Sequence, residues 1–257
     1  MRRVVSTSPS MTEAVFALGR GELLVGRTSF CDFPAEASRV EVIGGFADPS
    51  LERVLSLTPD LVCGERGPAG PDFVAALERQ GIATYFPPID RVGDVLTALE
   101  ELSRRLDALA RGRELTRAIR SRLDEVAAAT QGAALVRVVM LFDFKPLVAA
   151  GVDTFPDDVI ARAGGRNVAA GVGKYPKLGV EGLLELDPDV LLDGSAGAYS
   201  EPPEALVASI PGLSALRAAK AGRVVRLPGT SALRPGPRIA EGVLEVARLL
   251  HPTRFAP

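Results

Sequence analysis

Residues Leu51–Val62 read LERVLSLTPDLV, and residues Val180–Leu191 read VEGLLELDPDVL. Aligned without a gap, both copies carry Glu at the second place (Glu52, Glu181). Both then share two leucines, a Pro-Asp pair (Pro59-Asp60, Pro188-Asp189) and two aliphatics. The apolar residues of each copy stand mostly at helical spacing. Proline cannot continue a helix and drives the preceding residue to extended geometry, so each helix stops there. The aliphatics after each Asp read as a short buried strand. The unit is helix, tight turn, strand, and it occurs twice. A separation of roughly 130 residues is far too long for a solenoid and suits two similar lobes in one chain. Glu52 and Glu181 fall in the first turns of their helices, where a carboxylate suits the helix dipole.

Outward from these copies, strands alternate with helices. Arg3–Thr7, Leu23–Gly26, Val42-Ile43, Leu61-Val62 and Ala83–Phe86 read as strands. Ser10 with Glu13 reads as a capping box opening a helix to about Leu18. Pro49 reads as the first residue of the first repeat helix, and Asp72–Gln80 and Val92–Leu106 read as further helices. Gly112–Thr130 is charged, carries one apolar stripe (Leu115, Ile119, Leu123, Val126) and contains no strand signal. It reads as a rigid helical connector. Val136–Leu141 restarts the alternation, with Phe142–Pro146 as a loop. Pro156-Asp157 opens a helix ending near Gly164-Gly165. Val190–Leu192 and Arg223–Leu227 are strands, and Arg238–His251 is the closing helix. Such alternation implies α/β lobes with parallel sheets. The expected division is an N-terminal lobe over 1–106, an interlobe helix over 107–131 and a C-terminal lobe over 132–257.

Composition narrows the function. The 30 Lys and Arg nearly balance 32 Asp and Glu, which argues against nucleic acid or an anionic membrane as the main partner. One His and two Cys exclude a zinc or iron site built on several such ligands. His251 reads as a helix-end residue. A disulfide between Cys31 and Cys63 is not deducible from their loop and strand-end positions, and reduced, partly buried thiols are the better reading. No apolar run is long enough to span a membrane. A strand begins at once after Met1, with no signal-peptide segment or lipidation cysteine before it.

Enzyme signatures fail one by one. Gly194-Ser195-Ala196-Gly197 is a residue short of a nucleophile elbow. Gly173-Lys174 ends like a phosphate loop, yet Val168 stands at the first-glycine position and Tyr175 replaces the Ser or Thr. No G-x-G-x-x-G follows the first strand, and no carboxylate pair is singled out for acid–base work.

RVVSTSPSMTEAVFALG at the start, the TSFCDFPAEA loop, GGFADPSLERVLSLTPDLV and VEGLLELDPDVLL together resemble the solute-binding proteins of bacterial ABC importers. The likeness is to the class with a helical backbone between its lobes (class III), above all its cobalamin-binding branch. It runs from Arg3 to about His251. The resemblance implies two Rossmann-like lobes with parallel sheets, joined by one long helix, with a ligand cleft between them. It places Phe30 and Phe46 at first-lobe contact positions, Tyr175 at a second-lobe one and Arg234 on a cleft arginine. Phe142 or Phe144 matches a further aromatic, with core packing as the other reading of each Phe. Glu65 stands where the branch has a tryptophan, and Ser231-Ala232 replaces an acidic-aromatic pair. The chain has no Trp. A flat amphiphilic macrocycle held by aromatic faces and a few polar groups is chemically sound. The implied ligand is cobalamin or a related metal chelate, with haem or a ferric siderophore as the alternative, and no intrinsic cofactor. The implied partner is an ABC permease dimer met by Glu52 and Glu181, with the binding protein a monomer. The implied location is periplasmic or extracytoplasmic, the export signal being absent from this chain, and cytoplasmic if Met1 is the native start. A cytoplasmic α/β enzyme or ligand sensor is the competing expectation.

Overall fold

The computed structural model describes Arg2–Phe255. The chain divides into two compact units. The first takes in residues up to Ile89, Gly93–Ile119 and Arg234–Pro237. The second takes in Asp90–Val92, Arg120–Leu233 and the residues from Arg238 onward.

In chain order the first part holds β1 (Val4–Ser6), α1 (Pro9–Ala17), β2 (Leu24–Arg27), α2 (Leu51–Ser56), β3 (Leu61–Cys63), α3 (Pro71–Arg79), β4 (Ala83–Tyr85), α4 (Val92–Arg105) and α5 (Leu109–Thr130). Its sheet is wholly parallel, in the order β2-β1-β3-β4. Val5, Ile43, Val54, Val62 and Leu77 form one fully buried cluster. The predicted strand at Val42-Ile43 is reduced to an isolated bridge between Val42 and Arg27.

Helix α5 starts three residues before the expected Gly112. That glycine sits inside the helix, at a place where a Cβ would collide with Ser103. The helix has 22 residues, about 33 Å at the usual rise. Ile119, Leu123 and Val126 of the expected stripe are buried.

The remainder holds β5 (Val136–Phe144), β6 (Leu147–Ala149), α6 (Phe155–Arg162), β7 (Gly165–Asn167), β8 (Lys177–Leu178), α7 (Val180–Leu186), β9 (Val190–Asp193), α8 (Pro203–Ala208), α9 (Arg217–Lys220), β10 (Val224–Arg226) and α10 (Ile239–Leu250). Here the sheet is mixed, not wholly parallel. β10-β9-β5 run parallel, whereas β6 is antiparallel to both β5 and β8. The expected loop at Phe142–Pro146 is instead the end of β5 and a tight turn. Phe144 pairs with Leu147, and the strand turns back over the core.

The two sequence copies are built alike. Arg3 Nε and Nη2 donate to the Leu57 carbonyl at 2.9 and 2.7 Å. Arg137 Nη2 donates to the Leu186 carbonyl at 2.6 Å. Leu57 and Leu186 are equivalent positions at the ends of α2 and α7. The Asp of each Pro-Asp pair completes the clamp. Asp60 Oδ2 accepts the Arg2 and Arg3 amides, and Asp189 Oδ2 accepts the Arg137 amide. The backbone bonds from Arg2 and Arg3, the largest causes, hold the Asp60 carboxyl below its ordinary pKa. The motif's chemistry is thus structural: a carbonyl at a helix end and the first amide of a central strand are both satisfied.

Two predicted caps move. The cap of α1 is Ser8, whose hydroxyl accepts the Met11 amide, not Ser10. The cap of α2 is Ser50, so Pro49 lies just outside the helix.

Candidate functional site

Ligands of open α/β sheets collect at the carboxyl ends of the strands. In the first unit that end carries Thr7–Ser10 after β1, Thr28–Phe33 after β2, Gly64-Glu65 after β3 and Phe86 after β4. Gly64 must lack a side chain, since a Cβ would strike the Thr7 hydroxyl and approach the Phe86 ring to 2.7 Å. The Phe30 side chain is 59% exposed. The Ser29 amide donates to the Gly44 carbonyl at 2.9 Å, tying the Phe30 turn to the loop that carries half-buried Phe46.

Ser10, displaced from its expected capping role, donates its hydroxyl to Glu65 Oε1 at 2.5 Å. Glu13 is buried and faces Arg234, whose Nη1 lies 3.1 Å from Glu13 Oε1 and 2.6 Å from Asp32 Oδ1. Burial opposes the Arg234 cation, but Asp32 and Glu13 outweigh it and raise its pKa. Arg234, Glu65 and Phe30 are therefore gathered in one unit. Sequence reasoning missed Glu13, Asp32 and Ser10. The only local signal was the Ser10–Glu13 spacing, which pointed to a different motif.

In the second unit Phe142 is half-buried and Tyr175 is 52% exposed. Their ring centroids lie 6.0 Å apart with planes tilted by 60°, a favourable aromatic arrangement. The Tyr175 loop is fixed by backbone bonds from Gly151 to Lys174 and from Val152 to Gly173. Phe144 differs. It is 2% exposed, belongs to the second unit's core and meets Tyr199 edge-on at 5.6 Å. A ring so enclosed offers no face to a ligand; β5 is irregular between Leu141 and Asp143, and past that irregularity Phe144 is buried while Phe142 and Asp143 are only partly so. The Tyr199 hydroxyl donates to Asp143, the main cause holding that carboxyl below its ordinary pKa.

Glu52 and Glu181 are both exposed, each the second residue of its helix. Cys31 and Cys63 are free and buried. Burial first, then Cys31, pushes the Cys63 thiol up to about 12, against a hydrogen bond with Ser6. Among the described residues, no group of three or more His, Cys, Asp or Glu is placed to hold a metal ion. None of their helices is long and apolar enough to cross a membrane.

The sequence profile described as periplasmic binding protein matches residues 4–230. The chain belongs to this family. Among its relatives is a vitamin B12-binding protein of Vibrio parahaemolyticus serotype O3:K6, 29% identical over 194 residues, 74% of this chain and 70% of that one. A cobalamin-binding protein of Halobacterium salinarum is 29% identical over 259 residues, 98% of this chain and 70% of that one. Among solved structures, the periplasmic heme-binding protein RhuT from Roseiflexus sp. RS-1 in apo form superposes with a TM-score of 0.86. It is 26% identical, over 98% of this chain and 99% of that one.

Two predictions arise within this binding protein. Phe144→Ala should cost about 3–5 kcal/mol of stability through the cavity it leaves. Phe142→Ala should cost far less, because its ring is already partly solvated. Urea denaturation of both variants tests the assignment, and equal losses would overturn it. The second concerns Glu65, whose pKa burial raises above 4.5, helped by Glu13 and opposed by the Ser10 hydrogen bond and Arg234. The folded state therefore holds this proton more tightly than the unfolded chain. The resulting stability is fully present below the unfolded pKa and is lost as pH rises through the folded one. Glu65→Gln should flatten that decline and exceed wild type in melting temperature above the folded pKa. A steeper decline in the variant would contradict it.

Proposed function

We propose that the protein is the solute-binding component of an ABC import system and captures a cobalamin-like corrinoid for delivery to a permease dimer. The observation that carries this reading is a pair of solvent-exposed aromatic rings, Phe30 and Tyr175, on anchored loops. Exposed aromatics held on fixed backbone suit a large flat ligand better than a structural role. Family membership and the names of the Vibrio and Halobacterium relatives support the same ligand class. Phe46, Glu65, Phe142 and Arg234 complete the proposed contacts, with Phe144 acting behind Phe142 as core. The protein works as an extracytoplasmic monomer and catalyses no step. Haem or a ferric siderophore is the second reading, favoured by the likeness to RhuT. Calorimetric titration with cyanocobalamin, haemin and a ferric siderophore tests both. Tight binding of cyanocobalamin alone is the expected result. Binding of haemin alone would replace the first reading with the second.

A further inference from the structure

Three consecutive residues after β4, Asp90–Val92, belong to the second unit, although the chain on either side of them belongs to the first. Each is fastened to a different point of that unit. Lys174 Nζ lies 2.7 Å from Asp90 Oδ1. Arg91 Nη2 lies 3.3 Å from Asp153 Oδ1. The Val92 amide donates to Asp158 Oδ2 at 2.8 Å, and the Val92 side chain is fully buried. Asp158 is itself gripped by Arg162 at 2.8 Å.

The two ion pairs land on one pair of loops. The Gly151 and Val152 amides donate to the Lys174 and Gly173 carbonyls at 2.9 and 3.0 Å, so Asp153 and Lys174 flank the same short ladder. A Cβ on Gly151 would strike the Gly173 carbonyl oxygen, so the two backbones meet at a place that requires glycine. Tyr175 follows Lys174 directly, and its ring lies against Phe142. An isolated exposed ion pair adds little stability. These two can set a register. Their signs alternate, acid then base on the strap, and each faces its opposite on the ladder. Slipping the strap by one residue would set Asp90 against Asp153 or Arg91 against Lys174, and like charges repel. The hydrogen bond with Asp90 is the largest cause raising the Lys174 ammonium above its ordinary pKa, so this cation persists throughout the neutral range.

We propose that Asp90 and Arg91 are positioning residues for ligand capture: through Lys174 and Asp153 they hold the loop that presents Tyr175, so the ring stands in its binding orientation before the ligand arrives. A ring already in place spares the ligand the cost of ordering it. The inference rests on the corrinoid reading above and adds two residues that act on the ligand only through others.

The test is calorimetry with cyanocobalamin on the full chain. Asp90→Asn should weaken binding about threefold, and Asp90→Asn with Arg91→Gln about tenfold. Asp90→Lys should be worse than Asp90→Asn, and adding Lys174→Asp, which restores the pair with its signs exchanged, should recover most of the loss. In a Tyr175→Ala background Asp90→Asn should have no further effect, because the residue acts through that ring. A second readout needs no ligand. The chain has three Tyr and no Trp, so fluorotyrosine labelling gives three fluorine resonances, and Tyr175→Phe identifies the one at issue. That resonance alone should move in Asp90→Asn. An unmoved resonance, unchanged affinity in the single and double variants, or a full Asp90→Asn effect in the Tyr175→Ala background would overturn the proposal and leave the corrinoid reading standing. Failure of the wild-type protein to bind cyanocobalamin would remove that reading and this inference with it.

Discussion

Replacing Glu52 and Glu181 together with alanine should abolish or severely reduce permease-dependent uptake and leave ligand affinity unchanged. This outcome is expected because each carboxylate is exposed on the first turn of a short helix in equivalent copies of one motif. A dipole role explains one acidic residue per helix, but it does not require Glu at the same place twice. Two equivalent carboxylates suit a two-fold partner, and arginine grips carboxylate through two parallel bonds. Loss of the dipole contribution is worth only about 0.3–1 kcal/mol per site, so the double variant should fold. Replacing both with Arg should impair uptake further through like-charge repulsion. Uptake at the wild-type rate by the double-Ala protein would leave the dipole as the whole role of both residues.

Phe46→Ala combined with Tyr175→Ala should weaken corrinoid binding at least about tenfold, corresponding to the loss of two aromatic contacts at roughly 1 kcal/mol or more each. The melting temperature should barely move. Tyr175 is more than half exposed, and its loop is tied down by backbone bonds that the substitution leaves in place. Calorimetry and a thermal melt on the same preparation decide the matter. A large stability loss with intact binding would make these rings structural.

The fold was legible where local chemistry repeats itself. A helix stopped by Pro-Asp and followed by aliphatics can be read without neighbours, and α2–β3 and α7–β9 fall there. The hairpin of β5 and β6 was not legible, because Asp143, Lys145 and Pro146 interrupt the apolar pattern and look like a loop. The Arg3 and Arg137 clamps were equally hidden. An arginine at the start of a strand carries no sign that it will reach a helix end about fifty residues away. For the site, the exposed Phe30 and Tyr175 could be inferred from family likeness. Glu13 could not, since its partner Arg234 lies 221 positions further on. The same Ser10–Glu13 spacing serves as a helix cap in many chains, and here tertiary demands took both side chains elsewhere.

That long separation sets an order of events during synthesis. Most of the first unit leaves the ribosome early, and its buried cluster of Val5, Ile43, Val54, Val62 and Leu77 can form at once. The guanidinium that Glu13 and Asp32 face arrives only with the last tenth of the chain, so the unit begun first is completed only after most of the second has been made. A nascent chain stalled before Arg234 would hold the first unit's apolar cluster and still carry a carboxylate buried without its distant cation. Such a chain would also lack α10, whose Ile239, Val243, Val246 and Leu250 are buried, so it would present exposed apolar surface in the second unit together with an uncompensated carboxylate in the first.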